Sequence, residues 1–544
     1  MTDTVIIFGP PGTGKTEFLL QVCRHLLSQG VPQEVVAFTT FQKSAAQDAA
    51  YRAGVHSRDY RRLWYRTLHS ICYRLLGLDK DRVVTPGKLK EFSDIVGGPV
   101  DARMATESDE MADLAQVMLG IRHARSGDNE SKISSVMSLY QLSRLLCRTK
   151  DELMRCRDEP HPVATGYLRG FVDMRVYRAL IRKYEDWKGG ELCDFVDMLD
   201  MVLSGAAAIE PTWEYVFIDE AQDLSGIQWA VVEKLFFSGP KQTYMAGDDC
   251  QAIMSFQGAR ARDFLSYRKD STVVHLRQTH RFGKTIVDLA DKIAQRITER
   301  EPKEVWPADI ESTVNQIYKF NTDSYPKGSK FLLHRHVVGC KAIAMNLLNN
   351  GIPFRNERGI NPLARSSEIL GYRAIQDLKK NGQIDGGQAA SLVNMVPSYR
   401  TLEDSRIPII RRGSKKKLKE MPPDKMLTRA DLVEHFTEHF WGAIDTDNWG
   451  ITKVKFPAYY EAVEAKGWNL LGGEIPEITI TTIHGSKGRD ADHVFLWNEV
   501  LPKCLMDENE HRLSYVGATR AKYGLWVVHQ PVTGWNTTHY QYPI

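Results

Sequence analysis

The chain has 544 residues, 42% of them hydrophobic and 26% charged, with a formal net charge of +3; this composition allows two to four globular domains with sizeable cores. No stretch approaches the roughly 18–20 uninterrupted apolar residues of a membrane span, and the opening MTDTVIIF lacks the basic region and cleavage site of a secretory signal. Cys23, Cys72, Cys147, Cys156, Cys193, Cys250, Cys340 and Cys504 form no CxxC pair or Cys/His cluster, so neither a zinc site nor a disulfide framework is expected, and a reducing, cytoplasmic compartment fits. The small net charge leaves a nucleic-acid partner open, because a basic groove and an acidic face cancel in the sum.

In chain order, VIIF at 5–8 reads as a short apolar strand. A Gly/Pro loop follows, and Phe18, Leu19, Val22, Cys23, Leu26 and Leu27 then recur at helical spacing until Gly30. Residues 35–40 supply the next strand, and this alternation predicts a parallel sheet covered on both faces. The loop itself is GPPGTGKT, Gly9, Pro10, Pro11, Gly12, Thr13, Gly14, Lys15 and Thr16. It matches GxxxxGK[ST] in the required place, between a strand and a helix. The glycines let backbone N–H groups converge on phosphate oxygens, Lys15 reaches the β and γ phosphates, and the Thr16 hydroxyl ligates Mg²⁺. The bare pattern alone would arise by chance in a chain this long on the order of a few per cent of the time.

From about residue 78 to 205 the sequence is mainly helical and charged, which reads as an insertion in the first domain. An apolar strand returns at 215–218 and runs into acids, YVFIDEAQD at 215–223. Alone, an acidic turn after a strand is usually a solvated helix cap. Paired with the phosphate loop it predicts Asp219 as the Mg²⁺ partner and Glu220 as the base that orients and deprotonates the attacking water. Strand-like runs at 272–276, 330–333, 478–483, 493–497 and 525–528 predict a second α/β sheet. Between about 359 and 476 lies a second, mixed insertion, whose charged, proline-bearing RRGSKKKLKEMPP at 411–423 reads as an exposed loop.

The motifs together resemble those of the UvrD/Rep-type helicases of superfamily 1. TTFQKSAAQDAAYR (39–52), TLHSICYRLL (67–76), CDFVDMLDMVL (193–203), the acidic strand end, GDDCQAIMSFQGA (247–259), LRQTHRFGKTIVDLA (276–290), TIHGSKGRDADHVFL (482–496) and LSYVGATRAK (513–522) follow in the family's order. The resemblance implies an α/β fold of two RecA-like parallel-sheet P-loop NTPase domains, each with an inserted accessory subdomain. The boundaries expected are 1–77 with 206–270 and 271–358 with 477–544 for the two domains, and 78–205 and 359–476 for the insertions. It assigns Gln251 to couple the γ phosphate to movement, and Arg281 and Arg520 as arginine fingers on the transition-state charge. Gly485, Lys487 and Gly488 form a second Gly-rich phosphate-side loop, and Asp490 stands where the family usually has a Glu facing the ribose. Phe41, Thr67, His69, Phe256 and His484 fall in strand-contacting segments, where bases stack on aromatic rings regardless of sequence. Met254 and Gln257 stand beside Phe256 where the family often has an aromatic and an Arg, which predicts a thinner platform.

The implied activity is that of an ATP- and Mg²⁺-dependent DNA helicase or translocase. It would act on single-stranded DNA and single-strand/duplex junctions, 3′ to 5′, as a monomer or weak oligomer with no membrane partner. The alternatives are a translocase that strips proteins from single strands without unwinding, or a non-catalytic module tightened by ATP. Glu220, Gln251 and both arginines argue against the last. Two expectations rest on the ends of the sequence. Only Met1, Thr2 and Asp3 precede the first strand, so the family's adenine-reading Gln segment is missing and base selectivity should be modest; the chain ends soon after Ala521, so no fused nuclease is expected.

Overall fold

The computed structural model describes residues 3–55, 62–98, 100, 129–168, 173–321, 326–356, 367–402, 405–446, 459, 462, 477–502, 507–534 and 537–544. Six parallel strands form the first sheet: β1 (Asp3–Phe8), β2 (Val36–Thr39), β3 (Trp64–Arg66), β4 (Tyr215–Ile218), β5 (Gln242–Gly247) and β6 (Thr272–His275). Their order is β3-β2-β4-β5-β1-β6.

Alternation along each strand divides the apolar residues between the two faces. Ile6, Phe8, Ala37, Val216, Ile218 and Met245 join one core with helices Leu68–Leu75, Asn129–Leu146, Phe195–Leu203 and Gly226–Phe236. Ile7, Val36, Phe38, Phe217 and Ala246 join the other, under helices Lys15–Ser28 and Lys43–Arg52. The strands are therefore apolar at nearly every position, as a sheet buried on both sides requires.

The run at 272–276, expected in the second sheet, instead lies in the first. Val5 pairs with Thr272 and Phe8 with His275, and the Leu276 N–H donates to the Phe8 carbonyl at 2.8 Å. Four residues of TVVH carry no mark of which sheet they join. The placement matters for function, because the chain leaving β6 runs directly alongside the phosphate loop.

The molecule divides into two compact units, Met1–Asn321 with Ile483–Gln530 and Trp535–Ile544, and Thr322–Thr482 with Pro531–Gly534. In the first unit β7 (Thr313–Ile317) and β14 (Ala491–Trp497) flank β16 (Ala521–Val528) in parallel, and β15 (Glu499–Val500) pairs antiparallel with β17 (Thr538–His539). In the second unit β8 (Lys330–His334) and β13 (Ile478–Thr482) pair in parallel.

The rest of the second unit holds two small antiparallel pairs, β9 (Gln383–Asp385) with β12 (Met426–Thr428) and β10 (Tyr399–Leu402) with β11 (Ser405–Pro408). Residues 411–423, read as an exposed loop, contain the short helix Ser414–Lys419. Its buried residues, Ser414 and Leu418, are four apart on one helical face, a two-residue apolar signal that the surrounding lysines hide. Among the described residues no helix is long and apolar enough to cross a membrane.

Helix Gly226–Phe236, which follows the acidic strand end, abuts the end of helix Asn129–Leu146 closely. A Cβ on Gly226 would lie 2.5 Å from the Leu146 carbonyl oxygen and 2.9 Å from its carbon. Backbone cannot swing aside as a side chain does. Gly226→Ala should therefore lower unfolding free energy by about 1–3 kcal/mol, measured in urea. Gly239→Ala, whose Cβ meets nothing within 4 Å, should be near neutral; equal stability of the two variants would contradict this packing.

Candidate nucleotide site and nucleic-acid flank

β1 ends at Phe8 and the loop turns back through Gly12 (φ 77°) and Gly14 (φ 78°), left-handed conformations that favour glycine. A Cβ on Gly9 would fall 2.4 Å from Thr13 Oγ1, and one on Gly12 would fall 2.6 Å from both Arg281 Cβ and Thr279 Oγ1. The loop is thus held tight from inside and from the segment after β6. Thr279 Oγ1 donates to the Pro11 carbonyl at 2.8 Å, and the His280 N–H to the Gly12 carbonyl at 2.9 Å. Lys15 is buried at the head of its helix, with Nζ donating to the Gly9 carbonyl at 2.8 Å. The helix start has no side-chain cap, which leaves its first N–H groups directed at the loop. This cradle of backbone donors with one ammonium fits a polyphosphate.

Thr16 and Asp219 come together from opposite ends of the sequence, Thr16 Oγ1 donating to Asp219 Oδ2 at 2.6 Å. Burial, and then the Glu220 charge, push the Asp219 carboxyl up to about 6. A divalent cation would relieve that strain, and two hard oxygen donors are what Mg²⁺ takes from protein.

Glu220 is the one non-glycine residue with positive φ (54°) among those described. Holding a glutamate there costs energy, and its carboxylate is fixed in place by Gln222 Nε2, which donates to it at 2.5 Å. Burial raises its proton affinity, but the charges of Lys487, Lys15 and Arg520 outweigh this and keep it below the ordinary range. Of the adjacent pair, Asp219 takes a proton first and Glu220 stays anionic, the state a general base needs.

The residues after β5 close the other side. Gln251 Nε2 donates to Asp248 Oδ2 at 2.9 Å, its Oε1 accepts from Arg520 Nη2 at 2.9 Å, and its backbone carbonyl accepts from Lys487 Nζ at 2.8 Å. Lys487 also donates to both Asp223 oxygens at 2.6 Å. Arg520 is 1% exposed, with Nε on the Val516 carbonyl and Nη1 on that of Arg489. Burial, and then the charge of Arg281, lower its pKa to about 9; burial lowers that of Arg281 as well. Asp490, expected at the ribose, pairs with Lys522 at 2.7 Å and lies 3.7 Å from Arg281. Gly488 has φ 77° and nothing within 4 Å of a Cβ position, so no close approach is seen there.

The structure therefore brings Lys15, Thr16, Asp219, Glu220, Gln251, Arg281 and Arg520 together. Lys487 lies at the phosphate side, where the resemblance places its loop; Gln222 was not singled out as a site residue, although it was legible as the polar residue two beyond Glu220.

The expected strand-contacting residues divide differently. Phe256 is 9% exposed and packs edge-on against His484, with ring centroids 5.4 Å apart, beside Met254 and Ala259. It presents little free face for a base. Thr67 is buried and caps helix Leu68–Leu75 by accepting from the Ser70 N–H. His69 packs edge-on against Phe195, and its Nε2 is enclosed with no hydrogen-bond partner among the described residues. Burial pushes its pKa down to about 4, so it is neutral and cannot offer a cation to phosphate. Polar and aromatic residues at a helix start serve capping and packing as readily as contact, which sequence alone does not separate. Phe41 is partly buried.

Comparison with known proteins agrees with this geometry. The profile of the UvrD/REP helicase N-terminal domain matches residues 1–272, and that of the UvrD-like helicase C-terminal domain matches 477–528. The ATP-dependent DNA helicase PcrA of Staphylococcus aureus strain Mu50 is 26% identical over 332 residues, which cover 59% of this chain and 42% of that protein. PcrA of Staphylococcus epidermidis strain RP62A is 25% identical over 335 residues, again 59% of this chain and 42% of the relative. The match thus spans less than half the length of these curated relatives.

Two substitutions separate binding from chemistry. Lys15→Ala should lose Mg·ATP binding, followed with a fluorescent analogue. Glu220→Gln should retain it but turn ATP over at least about 10²-fold more slowly, the usual worth of a general base; a rate above about a tenth of the parent's would remove Glu220 from that role.

Proposed function

Because the chain belongs to the UvrD/REP helicase family, we propose that it is an ATP-driven motor that steps along single-stranded DNA, 3′ to 5′, and separates the duplex ahead of it. The observation that carries this reading is Gln251. Its carboxamide oxygen accepts from Arg520 while its backbone oxygen accepts from Lys487, so one residue of the Gly247–Ala259 segment contacts two cations of the phosphate site. That segment continues into Phe256 and its packing partner His484, which is a short physical route from phosphate chemistry to the proposed track.

ATP with Mg²⁺ supplies the phosphoanhydride bond whose cleavage drives the cycle. Thr16 and Asp219 would hold the metal, and Lys15 with the loop N–H groups would hold the phosphates. Glu220 takes the proton of the attacking water, and Arg281 and Arg520 stabilise charge on the transferring phosphoryl group. Movement follows only if the nucleotide-bound and nucleotide-free states grip the strand differently, since a ligand shifts an equilibrium by its differential affinity. The partners proposed are single-stranded DNA and its junctions with duplex, met by a monomer or weak oligomer in the cytoplasm. The two RecA-like domains and two accessory insertions are proposed with the boundaries given above, except that the strand Thr272–His275 belongs with the first domain.

The decisive experiment is ATP hydrolysis with and without single strands, together with unwinding of duplexes carrying a 3′ or a 5′ tail. Strand-stimulated hydrolysis and unwinding from the 3′ tail alone are expected. Unwinding from the 5′ tail would reverse the polarity. Displacement of a bound protein from single strands without duplex separation would make the chain a translocase, and hydrolysis indifferent to DNA would refute the motor.

A further inference from the structure

After helix Lys284–Ala294 the chain returns as a strap across the loop that carries Gln251. The Glu301 N–H donates to Asp249 Oδ2 at 2.9 Å. Arg512 secures the same place, donating Nε to the Asp249 carbonyl at 3.2 Å and Nη2 to the Glu299 carbonyl at 2.8 Å. Lys303 lies 2.9 Å from Asp248 Oδ1 and also pairs with Asp249. All three are enclosed, the carboxylates at 0% and the lysine side chain at 6% exposure. Asp248, Asp249 and Cys250 would otherwise resemble a cation site, their ligand-type atoms lying within 4.8 Å of one another. The cation of this cluster is the Lys303 ammonium.

Asp248 has work beyond that pair. Its Oδ2 accepts from Gln251 Nε2 at 2.9 Å, so it decides which end of the carboxamide turns inward and leaves Oε1 for Arg520. Its N–H donates to Gln222 Oε1 at 3.0 Å, and Gln222 Nε2 donates in turn to Glu220 at 2.5 Å. An unpaired carboxylate in such an enclosure is strongly destabilised. It would keep neither its charge nor its partners in place.

We propose that Lys303 is a positioning residue for ATP hydrolysis: by neutralising Asp248 it fixes the Gln251 carboxamide toward Arg520 and, through Gln222, steadies Glu220. This rests on the function proposed above. No motif marks Lys303; the inference comes from the strap's return to the phosphate site.

The test uses the full chain and the variants Lys303→Met, Lys303→Arg and Lys303→Met/Asp248→Asn. Parent hydrolysis is measured first: its absence refutes the proposed function, whereas a parent-like Lys303→Met refutes only the role of Lys303. Lys303→Met should lower kcat at least about tenfold while affinity for a fluorescent ATP analogue stays within about threefold, the pattern of an interaction made in the transition state. Lys303→Arg should recover most of the rate. The double variant should recover most of it too, because position 248 no longer carries an unpaired charge, the carboxamide introduced by Asp248→Asn can still accept from Gln251, and Asp249 keeps the Glu301 N–H. A double variant that regains thermal stability but not kcat would make Lys303 a fold-stabilising residue and overturn the proposal. Should Lys303→Met fail to fold, the double variant decides: a rate near the parent's supports the proposal, and a folded protein more than about tenfold slower contradicts it.

Discussion

The site is built around enclosed positive charge. Arg520 and Arg281 are both withdrawn from water, and each guanidinium has its proton affinity lowered by burial, that of Arg520 also by its neighbour's charge. Lys15 and Lys487 add two ammonium groups that bear on Glu220. Cations confined together in an enclosed site are costly unless anions meet them. The protein's own anions are placed in part, with Asp490 beside Arg281, Asp223 under Lys487, and Glu220 within reach of several of these charges. The arrangement favours a further concentrated negative charge, such as a transferring phosphoryl group presents.

Much of the rest of the first unit serves to hold that charge in place. Packing β6 against β1 delivers Thr279, His280 and Arg281 to the phosphate loop, where Gly12 leaves no room for a side chain. The Glu220 backbone is held in a left-handed conformation, and Gln222 binds both its carboxylate and the Asp248 N–H. The helix that follows is pressed against Leu146 at the end of helix Asn129–Leu146. Strain at the base is thus stored where the surrounding structure over-determines it.

What the sequence makes legible follows from how local each signal is. The phosphate loop and the acids after β4 combine an apolar strand with a fixed residue pattern, and both can be read directly from the chain. The helix at Ser414–Lys419 rests on one buried leucine and one buried serine among lysines, and periodicity cannot find it. Assignment of Thr272–His275 to a sheet is a long-range pairing decision, invisible in four residues. Thr67 and His69 lie within a recognisable motif, yet their side chains cap and pack a helix; motif membership does not specify which way a side chain faces. Lys303 is the opposite case, a residue in no motif that reaches the phosphate site only because the chain doubles back.

The central claim is that this enclosed charge is matched to the transition state of phosphoryl transfer more than to bound nucleotide. Affinity for ADP with fluoroaluminate, compared with ADP alone in the presence of Mg²⁺ and single-stranded DNA, tests it directly. The account predicts at least about 10²-fold tighter binding of the analogue, with most of that gap lost in Arg520→Ala while ADP affinity changes little. Equal affinity of the two ligands, or a gap that survives Arg520→Ala, would contradict it.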